Sequence, residues 1–179
     1  AWDDYLWRSD EELATLDAAP CLKMTFFQYL RIFKDQIRYP IPGTQRFSIE
    51  SIEHKLIGNC MYYDVDAINR DAELGIVIGN KEYWSQGYGC DAVMTLLEYL
   101  FTTAKLMRVY LHTLVWNKRA QRSFQKSGLQ PIRQVRRNGQ DFILMEIKLE
   151  RWIEIQDERT IDCLEEDSGT RLSYPTANI

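Results

Sequence analysis

Two groups of residues in this chain have types and spacings suited to chemistry. The first is Trp84-Ser85-Gln86-Gly87-Tyr88-Gly89-Cys90-Asp91-Ala92, a glycine-rich turn directly ahead of a long apolar-periodic stretch. Gly87 and Gly89 permit positive φ and a close backbone approach to a ligand. The free N–H groups of the helical turn that follows, aligned with the helix dipole, form an anion site suited to phosphate or pyrophosphate. A tight turn with a glycine-assisted cap is the alternative reading. The third glycine of a dinucleotide fingerprint is missing and no Gly-Lys-Ser/Thr follows, which removes the Rossmann and Walker motifs. The second group is Asn117-Lys118-Arg119-Ala120-Gln121-Arg122. An Asn-capped, basic helix start suits an anionic ligand that carries amides. A simple N-cap role for Asn117 is compatible with that contact.

These groups need elements to hold them. The spacing predicts a short helix over Asp10–Leu16, ended by Pro20. A second helix is capped by Thr25, with Phe26, Leu30, Phe33 and Ile37 on one face, and stops at Tyr39-Pro40. Three strands follow, at Arg46–Ser51, Leu56–Asp64 and Ala72–Ile78, the last a nearly continuous apolar run of the kind found inside a sheet. A long helix is expected over Asp91–Lys105, a strand over Met107–Val115 and a helix over Lys118–Ser127 ended by Gly128. Asn138-Gly139 between Gln134–Arg137 and Gln140–Ile147 signals a hairpin. Leu149, Trp152 and Ile153 begin another helical pattern, and little order is expected beyond about Asp167. The order describes a mixed α/β domain with helices on both faces of a central sheet. Residues 1–150 are read as one domain and 151–179 as a helical extension with a polar tail.

Composition narrows the partners. The chain has 179 residues, a net charge of -4 and 45% hydrophobic residues. An acidic chain does not attract nucleic acid or anionic membranes at long range. The local cations Lys118–Arg122, Arg133, Arg136 and Arg137 favour a small anion instead. No apolar run is long enough for a membrane span, and Ala1–Asp4 lacks the features of a secretory leader. Cys21, Cys60, Cys90 and Cys163 are too scattered for a metal knuckle or redox pair, and two histidines are too few for a His-based metal site. No metal and a reducing cytoplasmic setting are expected.

The run Glu73-Leu74-Gly75-Ile76-Val77-Ile78, the turn ending Trp84-Ser-Gln-Gly-Tyr-Gly-Cys-Asp-Ala92 and the stretch Asn117-Lys-Arg-Ala-Gln-Arg-Ser-Phe-Gln-Lys-Ser-Gly-Leu129 together resemble the GNAT superfamily of acyl-CoA N-acyltransferases. They look most like its RimJ/RimL branch, over about Asp3 to Trp152. The resemblance implies a central, mostly antiparallel twisted sheet flanked by helices on both faces. It implies transfer of an acetyl group from acetyl-CoA to a primary amine, on a protein N-terminus or a small molecule, by direct attack in a ternary complex. An acyl-CoA-binding module without turnover and a transferase for another acyl group are the alternatives. Ile76, Val77 and Ile78 would face the pantetheine arm and acetyl group. Trp84, Ser85, Gln86, Gly87, Tyr88 and Gly89 would wrap the pyrophosphate. Asn117 would hold the pantetheine chain, and Arg119 or Lys118 would reach the adenosine phosphates. A homodimer is left open.

The reaction needs a base, because an alkylamine is protonated at neutral pH. Glu73 is the candidate, with a surface glutamate at a strand end as the alternative. The oxyanion needs a fixed N–H, assigned to Val77 or Ile78, with Gly75 able to host a bulge that frees it. Many relatives place a proton-donating tyrosine where this chain has Phe124. Tyr88 or Tyr110 is the expected substitute, with water as the remaining donor. The family also usually opens with an edge strand; this sequence begins at or just before the first helix, so that strand is expected either to be missing from the sheet or to lie outside this sequence. Cys90 is expected to be a packed small residue, Asp64 and Asp66 turn residues, and Trp2, Tyr5 and Trp7 core aromatics or walls of an acceptor pocket.

Overall fold

The computed structural model describes residues 1–168, with side chains through residue 159. Three N-terminal helices, α1 (Trp2–Ser9), α2 (Glu11–Leu16) and α3 (Phe26–Arg38), precede strands β1 (Gln45–Glu50), β2 (Leu56–Asp66) and β3 (Asp71–Ile78). A single 3-10 turn (Lys81–Tyr83) leads to α4 (Tyr88–Thr102), β4 (Arg108–Leu114), α5 (Lys118–Lys126), the hairpin β5 (Gln130–Arg137) and β6 (Gln140–Lys148), and α6 (Leu149–Ser168). The strands form one sheet in the order β1-β2-β3-β4-β6-β5. Every neighbouring pair is antiparallel except β3 with β4. A parallel pair needs a crossover connection, and α4 supplies it.

That parallel pair positions everything else. It contains three register positions only: Asp71 opposite Arg108, Ala72 opposite Val109 and Glu73 opposite Tyr110. Beyond Glu73 the two strands separate, while β3 stays paired to β2 as far as Ile78 and β4 stays paired to β6 as far as Leu114. The sheet is therefore split into two wings with a wedge between them. On the β4 side of β3, alternate backbone groups from Leu74 to Ile78 face the wedge instead of a strand.

Helix α4 packs on one face, where Val93, Leu97 and Leu100 are fully buried with Leu74, Val109 and Leu111. Trp152 of α6 joins this core against Phe101, with ring centroids 5.8 Å apart. Helices α1–α3 cover the other face, where Asp4 of α1 accepts a hydrogen bond from Asn59 of β2 at 3.3 Å.

Several expectations from the sequence shift. Trp2–Ser9 is a separate helix where the sequence predicts only an aromatic cluster. Asp10 is not helical but caps α2, accepting from Leu13 N–H at 2.9 Å. On α3 the buried residue is Tyr29, not the expected Ile37, which is 67% exposed. Tyr29 donates to buried Asp4 and stacks with Tyr5, and these contacts set the roll of the helix. Helix α4 begins three residues before the expected Asp91, because Gly87 takes φ 95° as its N-cap. Register between β2 and β3 is continuous from Tyr63–Glu73 to Gly58–Ile78, so Gly75 hosts no bulge. Strand separation, rather than a bulge, leaves backbone donors unpaired. Strand β5 begins at Gln130 and tolerates Pro131 because it lies at the sheet edge. Among the described residues no strand precedes α1. The expectation of little order beyond Asp167 falls, after Ser168, outside the described residues.

Candidate active site

The wedge opens into a cavity of about 520 Å³. Ile76, Val77 and Ile78 form one wall, the Tyr83–Gly89 turn and the start of α4 a second, and α5 from Asn117 to Lys126 a third. Leu13, Leu16 and Asp17 at the end of α2 close the remaining side. Burial by neighbouring atoms holds the Asp17 carboxyl above its usual range, against the charges of Arg8 and Arg46.

The turn is built by backbone conformation. Ser85 (φ 60°) and Gly87 (φ 95°) both occupy the left-handed region, which swings the chain into α4 within a few residues. The Trp84 indole N–H donates to the Ile78 carbonyl at 2.7 Å and ties the turn to the end of β3. Asp91 N–H is the first to bond back into the helix, to the Gly87 carbonyl at 3.0 Å. The amides of Tyr88, Gly89 and Cys90 thus stand ahead of the intrahelical ladder, at the positive end of the dipole. Ser127 staples this turn to α5, its hydroxyl lying 3.3 Å from both the carbonyl and the sulfur of Cys90.

The third wall is cationic. Arg119, Arg122 and Lys126 line it, with Asn117 at its head. Asn117 is buried and caps α5, accepting from Ala120 N–H at 3.2 Å. The Arg119 guanidinium lies over the Trp84 ring, 3.6 Å from its centroid. Partial desolvation there lowers its pKa from the usual value.

Of the residues expected to bind a cofactor, Ile76, Val77, Ile78, Trp84, Ser85, Gly87, Gly89, Asn117 and Arg119 converge on this cavity. The side chains of Gln86 and Tyr88 do not line it. Gln86 folds back onto the Glu82 carbonyl. Tyr88 packs edge-to-face on Tyr83 at 5.2 Å, so its phenol points away while its backbone N–H stays at the helix mouth. Phe124 is buried and lines the cavity beside Ser123. Cys90 also lies on the wall, packed against Ser127. Asp66 serves as a turn residue, accepting from Ile68 N–H at 2.8 Å and Asn69 N–H at 3.0 Å.

Glu73 is not a surface residue. It lies at the apex of the wedge, 6% exposed, on the sheet face beneath α1–α3. One carboxylate oxygen is 2.7 Å from His112 Nδ1 and the other is 3.8 Å from an Arg137 nitrogen. Burial first, then the charge and hydrogen bond of Glu73, push the neighbouring Tyr63 phenol well above its usual pKa. Burial first, then the charge of Glu73, also raises Tyr110. Neither phenol gives up a proton readily in this setting. Sequence reasoning missed His112, Arg137 and Tyr63 as partners of Glu73. Their only signal is register, which brings Tyr63 opposite Glu73 on β2 and places His112 two residues past Tyr110 on β4.

The geometry thus defines a split-sheet domain with an amide-lined helix mouth facing a basic helix. Residues 2–130 match the family model of the acetyltransferase (GNAT) domain, and the chain belongs to that family. Among curated proteins it is similar to the spermidine N(1)-acetyltransferase of Vibrio cholerae, 31% identical over 84 residues, covering 47% of this chain and 48% of the relative. It is also similar to the uncharacterized N-acetyltransferase p20 of Bacillus licheniformis, 34% identical over 90 residues, covering 47% of this chain and 50% of that one. The chain spans about half the length of the curated relatives it matches. Its fold is similar to the crystal structure of the Vibrio cholerae spermidine N-acetyltransferase in complex with CoA and spermine, with a TM-score of 0.73 at 20% identity, covering 84% of this chain and 90% of that one. Among the described residues no helix is long and apolar enough to cross a membrane.

Proposed function

We propose that this chain is an acetyl-CoA-dependent N-acetyltransferase that moves an acetyl group to a primary amine by direct attack in a ternary complex. The observation that carries the reading is the wedge between β3 and β4, set against the amide-lined mouth of α4 and the cationic wall of α5. An extended thioester arm fits between separated strands because it can bond to the backbone groups that the missing strand partner leaves open. The amides of Tyr88, Gly89 and Cys90 then take the pyrophosphate. Arg119 and Arg122 meet the remaining phosphates, and Asn117 a pantetheine amide. A backbone N–H of Val77 or Ile78 receives the developing oxyanion. Glu73 supplies the carboxylate of the proton-accepting site. With Phe124 in the wall, the leaving thiolate takes its proton from the amine or water.

Similarity to the spermidine enzyme makes polyamines the first acceptors to test, within a RimJ/RimL-like branch. Protein N-terminal peptides are next. Free Cys21, Cys60 and Cys90 accord with a reducing cytoplasmic setting. The test is release of free thiol from acetyl-CoA with a panel of polyamines, amino acids, aminoglycosides and N-terminal peptides, alongside calorimetry with CoA. Turnover with one amine class supports the reading. Binding of CoA without thiol release across the panel assigns the chain as a binding module, the reading that Phe124 favours. No heat with CoA or acetyl-CoA overturns both.

A further inference from the structure

We infer that Glu73 and His112 act as one proton-accepting pair, in which the Glu73 carboxylate holds the imidazole through Nδ1–H and His112 Nε2 takes the proton from the incoming amine. The inference rests on the acetyl-transfer reading and goes further into that site. Its basis is donor chemistry. A carboxylate only accepts, so the 2.7 Å contact between Glu73 Oε1 and His112 Nδ1 requires the hydrogen to be on Nδ1. The lone pair of the neutral ring is then on Nε2. The Arg137 guanidinium, which can only donate, lies 3.2 Å from Nδ1 and competes with Glu73 for it, so the pair requires Nδ1–H to be committed to the shorter carboxylate contact.

Burial and position make the pair more than a surface ion pair. Both side chains are 7% exposed. Glu73 is the last residue of β3 paired to β4, so the pair lies where the wedge closes, beside the cavity and not among the side chains that line it. A buried carboxylate that orients an imidazole and stabilises its protonated form is a general device for making a base effective near neutral pH. Glu73 in isolation is a weak base toward an alkylammonium, whose pKa is about 10.4. Tyr63 from β2, Tyr110 from β4 and Arg137 from β5 face the pair, and the charges of Asp64, Asp71, Arg108 and Asp17 act on the two phenols. Tyr63 and Tyr110 stay protonated, so neither phenol competes with His112 for the proton of the amine.

The proton balance is simple. The ammonium passes one proton to Nε2, through water or directly. The neutral nitrogen attacks the thioester carbon, the C–N bond forms and the C–S bond breaks with its electron pair on sulfur. A second N–H proton neutralises the thiolate, and the imidazolium returns its proton to solvent. In this scheme Glu73 is a positioning residue for His112.

The test uses His112→Asn, whose side-chain amide can still donate to Glu73 but offers no basic nitrogen. The expected result is a loss of about 100-fold in kcat/KM for the amine, with acetyl-CoA affinity unchanged and the acid limb of the pH profile gone. Glu73→Gln keeps an acceptor for Nδ1–H without the charge. A smaller loss is expected there, with the acid limb moved to lower pH. His54→Asn, at an exposed position with φ 59°, is the control expected to keep wild-type rates, and it leaves His112 as the single histidine for nitrogen NMR. The ring should then lose its proton from Nε2 as pH rises. An active enzyme whose rate and pH profile are unmoved by His112→Asn, or a ring that deprotonates at Nδ1, overturns the pair while acetyl transfer stands. A wild-type chain that binds acetyl-CoA yet acetylates no amine overturns both.

Discussion

Gly79 offers the sharpest physical test of how the N-terminal helices are seated over the site. A methyl group built on Gly79 would penetrate the Trp7 indole at Cγ, Cδ2 and Cε2. Ordinary carbon contacts lie at about 3.5–4.0 Å, so the ring has to leave its place. Gly79 is buried and does not have positive φ, so alanine itself suffers no backbone strain there. The whole cost of Gly79→Ala is therefore the displaced indole. Overpacking of this kind costs about 1–3 kcal/mol, and for a domain of this size each kcal/mol lowers Tm by about 2–4 °C. A fall of about 2–12 °C is expected in thermal unfolding. Trp7 belongs to α1, and α1 packs on α2, whose Leu13, Leu16 and Asp17 wall the cavity. Acetyl-CoA affinity should accordingly weaken several-fold. The decisive measurement is a double-mutant cycle. With Trp7→Ala already in place, Gly79→Ala should change stability by less than about 0.5 kcal/mol, because nothing is left to displace. Two substitutions that add independently would refute the reasoning, as would a single Gly79→Ala variant with wild-type Tm.

Three other outcomes follow from the same structure. Arg119→Ala removes a partly desolvated cation from the cavity wall and should weaken CoA binding about tenfold or more by calorimetry, with Tm little changed. Gly128→Ala places a side chain at φ 93°, against Ile155 and within 3.0 Å of Ile147 Cδ1, and should cost about 2 kcal/mol or more in urea unfolding. Asp4 tests pH. Burial raises its carboxyl, but hydrogen bonds from Tyr29 and Arg46 and the charges of Arg46 and Arg8 outweigh this and leave it below the usual value. A lowered folded pKa contributes stability above the unfolded value of about 3.9 and loses it as pH falls through the folded one. Asp4→Asn should therefore destabilise at pH 6 by about 2 kcal/mol, and the gap to wild type should close as pH falls below 4. A constant gap across pH 6 to 3 would contradict the network.

Much of the site was legible in the chain. Gly87 and Gly89 ahead of an apolar-periodic stretch, and Asn117 ahead of Lys118 and Arg119, announce two helix mouths, because capping and positive φ are decided by neighbouring residues. The hairpin at Asn138-Gly139 is equally local. Helix α1 was hidden because Trp2–Ser9 makes its apolar contacts as scattered aromatics, among them Trp7 against Gly79 and Tyr5 against Phe26 and Tyr29. The roll of α3 was hidden because Tyr29 is held by Asp4, 25 residues away.

What the sequence determined alone is the set of local conformations and the chemical types that the two helix starts present. What only the tertiary structure decided is the length of the β3–β4 pairing, the cavity that opens where it ends, and the company Glu73 keeps. Register between strands far apart in the chain depends on packing summed over both sheet faces, and no window of neighbouring residues carries that sum. His112 lies 39 residues from Glu73 along the chain, and only the fold puts Nδ1 against its carboxylate.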